Sequence, residues 1–239
     1  MISIINCLAR NQGPSGDGLG LKDTDGFEAD GNRILANRVG VYVDNSPTDL
    51  RVEHYFTNNV IAYNEIGLQF LPSVTRNNFS GNIIADNGKQ VSVEGGGSFR
   101  GNKWAIEGRG NHWGDYAGFD ADGDGIGDIP YRIEDLFGAL TDRNPALNFF
   151  AGTPAARAMD LAAKAFPLLR PEPRVIDDAP LVNAPEVVPV PGAELPPNSV
   201  WTLVGAIALL GVAAGLIAAS GAFASSTGRR RRPETEAPT

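Results

Sequence analysis

The first hundred residues alternate short aliphatic clusters with polar corners at a nearly fixed spacing. Residues 6–11 (NCLARN), 32–37 (NRILAN), 59–64 (NVIAYN) and 82–87 (NIIADN) each place asparagines five apart around an aliphatic pair or its equivalent. The starts are separated by 26, 27 and 23 residues. A run of period two follows each: GLGL at 18–21, GVYV at 40–43, GLQF at 67–70 and QVSV at 90–93, the last without its glycine. A repeat of this length marks a solenoid, and alternation of period two makes its units strands. A strand such as Val41-Tyr42-Val43 buries its valines only against neighbours, which coils stacked about 4.8 Å apart supply. Corners demand left-handed backbone, where Asn and Gly are least penalised. Stacked asparagines can also hydrogen-bond from coil to coil. The expected fold is all-β, a parallel β-helix over residues 1–109 with about five coils, the last near residues 99–108. An antiparallel sandwich would not need the same Asn pair at every period.

Beyond the coils the pattern changes. Residues 110–132, GNHWGDYAGFDADGDGIGDIPYR, carry five aspartates and six glycines. Trp113 and Tyr116 supply the apolar cover a last coil requires, so residues 110–170 read as a solenoid cap. Within it, residues 132–150 form a mixed, Pro-broken segment, and residues 153–170 predict a helix with Thr153 as N-cap and Pro154 in its first turn. Ala156, Met159, Ala163 and Phe166 share one face, to pack on the solenoid or, as a second use, to dock a partner. Residues 171–199 hold eight prolines and predict a semi-rigid linker. Residues 200–224 run 25 residues without a charge, enough to cross a bilayer. The arginines at 229–232 favour the cytoplasmic side. A single-pass protein is predicted: its β-helix extracytoplasmic (periplasmic or cell-surface), residues 200–224 in the membrane, and 225–239 a cytoplasmic basic tail. Residues 1–10 do not resemble an export signal, and the first strand has no cap; both features predict further sequence upstream of residue 1.

Charge and candidate chemistry narrow the function. The formal net charge is -8, and setting aside residues 229–239 (four Arg, two Glu) leaves 16 cations against 26 anions, about -10. Such a body repels phosphate backbones, so nucleic acid is not an expected partner. One cysteine, Cys7, excludes an internal disulfide. The run DADGDGIGD offers Asp120, Asp122, Asp124 and Asp128 around Gly-permitted bends, the oxygen-rich pattern a hard cation such as calcium takes. The Glu that closes an EF-hand loop is missing, since that position is Tyr131, so Asp128 would have to close a shortened loop. The other reading is a metal-free Gly/Asp turn cluster, and both are structural. Copper(I) favours Cys, Met and His, and the chain has only Cys7, Met1, Met159, His54 and His112, which do not predict a tight copper site. No Ser/His/Asp grouping, phosphate loop or CxxC is present, and no catalytic residue is expected.

The run at 110–132, with LTDRNPAL, AMDLAAKAFPLL and DDAPLV after it, resembles the C-terminal half of the NosD family, extracytoplasmic maturation factors of nitrous-oxide reductase. GLGLKDTD, NRVGVYVDNSP and IGLQFLPSVTRNNFSGN look like the later coils of that family's right-handed β-helix, so the resemblance covers roughly residues 1–182. It implies a non-enzymatic protein acting with the membrane and ATPase subunits of an ABC transporter, a copper chaperone and the apo-reductase to help assemble a copper–sulfide centre, with copper as cargo. The linker and membrane span look like additions to the family pattern. Two other functions compete: a cell-surface carbohydrate-binding or carbohydrate-cleaving β-helix, and a structural adhesin held in shape by calcium. Against a catalytic groove, the strands present Val41, Val43, Leu68, Phe70, Val91 and Val93.

Overall fold

The structure, a computed structural model, describes residues 2–10, 16–72, 74–97 and 99–187. The expected membrane span, the basic tail and the end of the expected linker lie outside these residues. Three strands make each turn. Turn one has β1 (Ile2–Ile5), β2 (Leu8–Arg10) and β3 (Asp17–Lys22); turn two has β4 (Phe27–Asp30), β5 (Arg33–Leu35) and β6 (Val39–Asp44). Turn three has β7 (His54–Thr57), β8 (Val60–Ala62) and β9 (Ile66–Phe70); turn four has β10 (Asn77–Ser80), β11 (Ile83–Ala85) and β12 (Lys89–Val93). Equivalent strands stack into three parallel sheets, so the segments are rungs of a parallel β-solenoid and not hairpins. The fifth turn is partial. Lys103 bridges Asn78, and β13 (His112–Trp113) pairs with Ile83 and Ile84, after which the chain leaves the column.

Register explains the core. Leu19, Val41, Leu68 and Val91 align in one sheet, as do Ala29, Phe56 and Phe79 in another, where Phe27, two residues before Ala29, also meets the Phe56 ring. An aromatic column continues upward, Phe56–Phe79 at 4.8 Å between ring centroids, Phe79–Trp104 at 4.6 Å and Trp113–Tyr131 at 4.4 Å. Such offset contacts add to the burial that dominates the column's stability.

The asparagines form two ladders. The backbone N–H and Nδ2 of Asn32 donate to Asn59 Oδ1 (both 2.9 Å), Asn59 donates likewise to Asn82, and Asn82 to Asn111. The second ladder runs Asn37, Asn64, Asn87, where Nδ2 of Asn87 meets Gln90 Oε1 at 2.9 Å. The left-handed corner residues lie one position earlier: Gly31, Asn58 and Gly81 before the first ladder, Ala36, Tyr63 and Asp86 before the second. Asparagine therefore serves the stack, and the corner itself accepts even Ala and Tyr. This corrects the alignment of the first repeat by one residue. Leu8 pairs with Arg33, so Cys7, not Asn6, occupies the ladder position and donates its N–H to Asn32 Oδ1, while Asn6 takes the corner at φ 51°. The glycine opening each period-two run is also explained by the ladder: a Cβ on Gly40 would lie 2.9 Å from Asn64 Nδ2 and 2.5 Å from the Gly67 carbonyl oxygen.

After the solenoid come β14 (Tyr131–Ile133), α1 (Leu136–Arg143), a 3-10 turn (Pro145–Phe150), α2 (Pro154–Ala165), a second 3-10 turn (Pro167–Leu169) and β15 (Val175–Asp177), antiparallel to β14. Thr153 caps α2, its hydroxyl accepting the Ala156 N–H at 3.3 Å. Ala156 and Ala163 are buried, but Met159 and Phe166 are exposed, because α2 rests on α1, which in turn rests on β12. The Pro-rich segment expected as a linker from residue 171 begins instead as cap: Arg174, Val175, Asp177, Ala179 and Leu181 are buried. Prolines at 171, 173 and 180 flank β15 without interrupting its three residues, so the local composition does not exclude a short strand. Among the described residues no helix is long and apolar enough to cross a membrane.

Candidate functional site

The end of the column is where polar groups concentrate. Asn111, last rung of the first ladder, donates its N–H to Asp177 Oδ2 at 2.8 Å, and Trp113 Nε1 donates to the same oxygen at 2.9 Å. Ala179 N–H donates to the other oxygen at 3.1 Å. Burial pushes the Asp177 carboxyl above the ordinary aspartate range, against the pull of these donors. A second buried carboxylate, Asp142, is enclosed by Lys89 Nζ at 2.7 Å, Ser92 Oγ at 2.6 Å and Arg174 Nη1 at 2.6 Å. Burial alone would raise this carboxyl, but the Arg174 guanidinium and the Lys89 ammonium outweigh it and hold it below the usual range. Arg174 also pairs with Asp135. These contacts clamp the helices to the outer face of the β12 sheet. Between them opens a cleft of about 1100 Å³ lined by charged groups of both signs, among them Lys89, Asp142, Asp160, Arg170 and Arg174.

Of the four predicted metal-loop aspartates, three are brought together. Single carboxylate oxygens of Asp120, Asp122 and Asp124 lie within 4.8 Å of one another. Gly123 and Gly125, both at positive φ, make the bends. Asp120 accepts N–H groups from Gly123 (2.7 Å), Asp124 (3.2 Å) and Gly125 (2.8 Å), and the Gly125 donor leads the interactions that lower its pKa. Asp128 stands outside the group, its Oδ2 accepting the Ala121 N–H at 2.7 Å. The loop thus satisfies itself and still presents three oxygens to one point.

The soft donors are not gathered. His54 is buried in the third turn with Nε2 3.1 Å from the Thr24 carbonyl; His112 Nδ1 sits 3.0 Å from the Leu181 carbonyl. Cys7 is exposed on turn one and Met159 lies on α2. Among the described residues the acidic loop is the one His/Cys/Asp/Glu group with metal-holding geometry. A resident copper(I) centre therefore does not fit the described donor set. Val41, Val43, Leu68, Phe70, Val91 and Val93 are fully buried, so they say nothing about a groove. The outward row of their sheet is Gly20, Tyr42, Gln69 and Ser92, and the outward row of the first sheet is Glu28, Tyr55, Asn78 and Lys103. Asp177, Arg174 and Asp142 escaped the sequence analysis. DDAPLV and LTDRNPAL contain two of them, but nothing local indicates a partner 66 or 32 residues away.

A polar-laddered solenoid closed by a salt-bridged helical cap defines a scaffold class, in which extended stacked faces are displayed on a rigid column. Residues 4–118 match the family model described as periplasmic copper-binding protein (NosD). The chain is similar to a probable ABC transporter binding protein NosD of Pseudomonas aeruginosa, 32% identical over 133 residues, 56% of this chain and 30% of that protein. It is likewise similar to the protein of the same description from Stutzerimonas stutzeri, 31% identical over 128 residues, 54% of this chain and 28% of the relative. The match thus spans under a third of the length of these curated relatives.

Proposed function

We propose that this chain is a non-enzymatic, membrane-tethered maturation factor that works with an ABC transporter to help assemble the copper–sulfide centre of nitrous-oxide reductase. The observation that carries this reading is the match to the NosD family model at 4–118, together with relatives described as probable ABC transporter binding proteins. The extracytoplasmic placement agrees with the family description. The uncharged stretch at 200–224 and the arginines behind it support a tether with the C-terminus inside. A tether raises the effective concentration of the solenoid at a membrane transporter without any added contact. Copper passes as cargo among transporter, chaperone and apo-reductase, and the solenoid supplies the docking surfaces. Cells making the reductase test this. The tagged full-length chain is expected to co-purify with both transporter subunits and the apo-reductase, and its deletion to leave reductase without the copper–sulfide absorption. A fully loaded reductase in the deletion strain overturns the reading.

We further infer a structural calcium at Asp120, Asp122 and Asp124, with Asp128 bracing the loop. Calcium at a hundredfold excess over its dissociation constant adds about 2.7 kcal/mol. Added calcium is expected to raise the melting temperature of EDTA-treated protein, and Asp122→Asn to abolish the increment. That variant spares the loop, because the one backbone bond of Asp122 is its long contact to Asp124 N–H (3.3 Å). An identical melt with EDTA and with calcium sinks the site.

A further inference from the structure

Exposed apolar side chains are not spread evenly. Among the described residues fifteen large hydrophobics are exposed, and seven fall between 149 and 169. Four of these stand well clear of the fold: Phe149 at 88%, Leu161 at 68%, Phe166 at 62% and Leu168 at 101% relative exposure. α2 turns Ala156 and Ala163 inward and gives the Asp160 carboxylate to the Phe137 N–H at 2.8 Å. Its opposite side carries Ala158, Leu161 and Ala165, flanked by Arg157 and Lys164 at helical spacing.

This stretch is locally basic on an acidic chain. Residues 145–170 contain three cations, Arg157, Lys164 and Arg170, and one anion, the inward-facing Asp160, on a chain whose net charge is -8. Arg170 lies 3.7 Å from Glu134, while Arg157 and Lys164 make no ion pair among the described residues. A basic flank beside an aliphatic and aromatic face is the composition of an element lying in a lipid interface. Continuity points the same way. Twelve residues lie between residue 187 and the uncharged stretch that starts at 200, a reach of no more than about 45 Å.

We propose that the outward face of residues 145–170 docks on an anionic lipid bilayer, with Phe149, Leu161, Phe166 and Leu168 at the headgroup–acyl boundary and Arg157 and Lys164 against lipid phosphates. The face acts beside the tether and needs neither transporter nor reductase, so it stands apart from the maturation role.

The test uses the full chain with Cys7→Ser, carrying one environment-sensitive fluorophore at Leu161→Cys, at Leu168→Cys or, as a solenoid control, at Leu50→Cys. Each protein is bound to vesicles of phosphatidylcholine with or without phosphatidylglycerol. On phosphatidylglycerol vesicles the labels at 161 and 168 are expected to shift to the blue and to be quenched by brominated acyl chains, while the label at 50 remains in water. Arg157→Glu with Lys164→Glu is expected to weaken this insertion, by roughly fivefold per cation removed before counting the added repulsion. Labels at 161 and 168 that stay in water on a vesicle-bound chain overturn the proposal. Labels shielded equally in detergent overturn it too, and assign the face to a second copy or to another segment of the chain. Resistance of the bound chain to alkaline extraction reads the tether separately. Insertion that vanishes in high salt supports the face and counts against the span, and a chain that binds no vesicle sinks both.

Discussion

Single asparagines carry the vertical order of the column. Each ladder Asn with another above it uses its Nδ2 twice, to the next Oδ1 and to a carbonyl of the turn below, as Asn82 does to Asn111 Oδ1 (2.7 Å) and the Phe56 carbonyl (2.8 Å). Its own Oδ1 takes two donors from Asn59. Asn82→Ala leaves these buried groups unpaired and is expected to cost roughly 2–3 kcal/mol in urea unfolding. Asn6→Gly, at a left-handed corner outside the ladder, should stay within about 0.5 kcal/mol. The five-residue Asn spacing was readable because the same need recurs at every turn. The one-residue offset in turn one was not, because Cys7 lends only its N–H to the ladder and so hides the register. Gln90 was visible as a break in the glycine pattern. Its role, an amide oxygen that ends the second ladder, emerges only from the stacking.

At the scale of elements, one buried carboxylate holds a helix to a sheet. Asp142 on α1 joins Lys89 and Ser92 of β12 to Arg174 ahead of β15. Asp142→Asn leaves a buried guanidinium half-paired and is expected to lower stability by about 3–5 kcal/mol at pH 7. Because the folded pKa is depressed, this stabilisation is complete above the unfolded aspartate value, about 3.9, and is lost as pH falls through the folded value. The gap between wild type and variant should therefore close in acid denaturation curves below about pH 4. Asp177 has the opposite sign. Its raised pKa means the folded state holds the proton more tightly, so its contribution is greatest in acid and declines as pH rises through the shifted value. Asp177→Asn keeps an acceptor for Trp113 and should flatten that decline. Elements built on short-range signals were foreseeable: Thr153 and Pro154 start α2, and Val91 and Val93 mark β12. β15 was not, because its worth lies in contacts to β14 and Asn111, far along the chain, and its prolines read locally as linker.

For the molecule as a whole, periodicity announced the solenoid and the Asp/Gly run announced where it ends. Four turns are complete where about five were expected, since the fifth sets Lys103 and β13 on the first two sheets and, among the described residues, adds no strand to the third. The Asp loop was recognisable as a cluster because alternate carboxylates around glycines converge locally. The cleft and the exposed face of α2 were not, because both depend on how helices set on a sheet. Trp113→Ala, removing the aromatic that seals the column and donates to Asp177, is expected to cost about 3–5 kcal/mol by calorimetry or denaturant titration. That seal has a consequence in time. The carboxylate closing the first ladder belongs to a residue made 66 positions after the asparagine it receives. As the polypeptide emerges, rungs can add one upon another while the uppermost lies open, until Asp177 arrives. Anything that halts the chain before that residue leaves a bare edge able to recruit a stranger's strand.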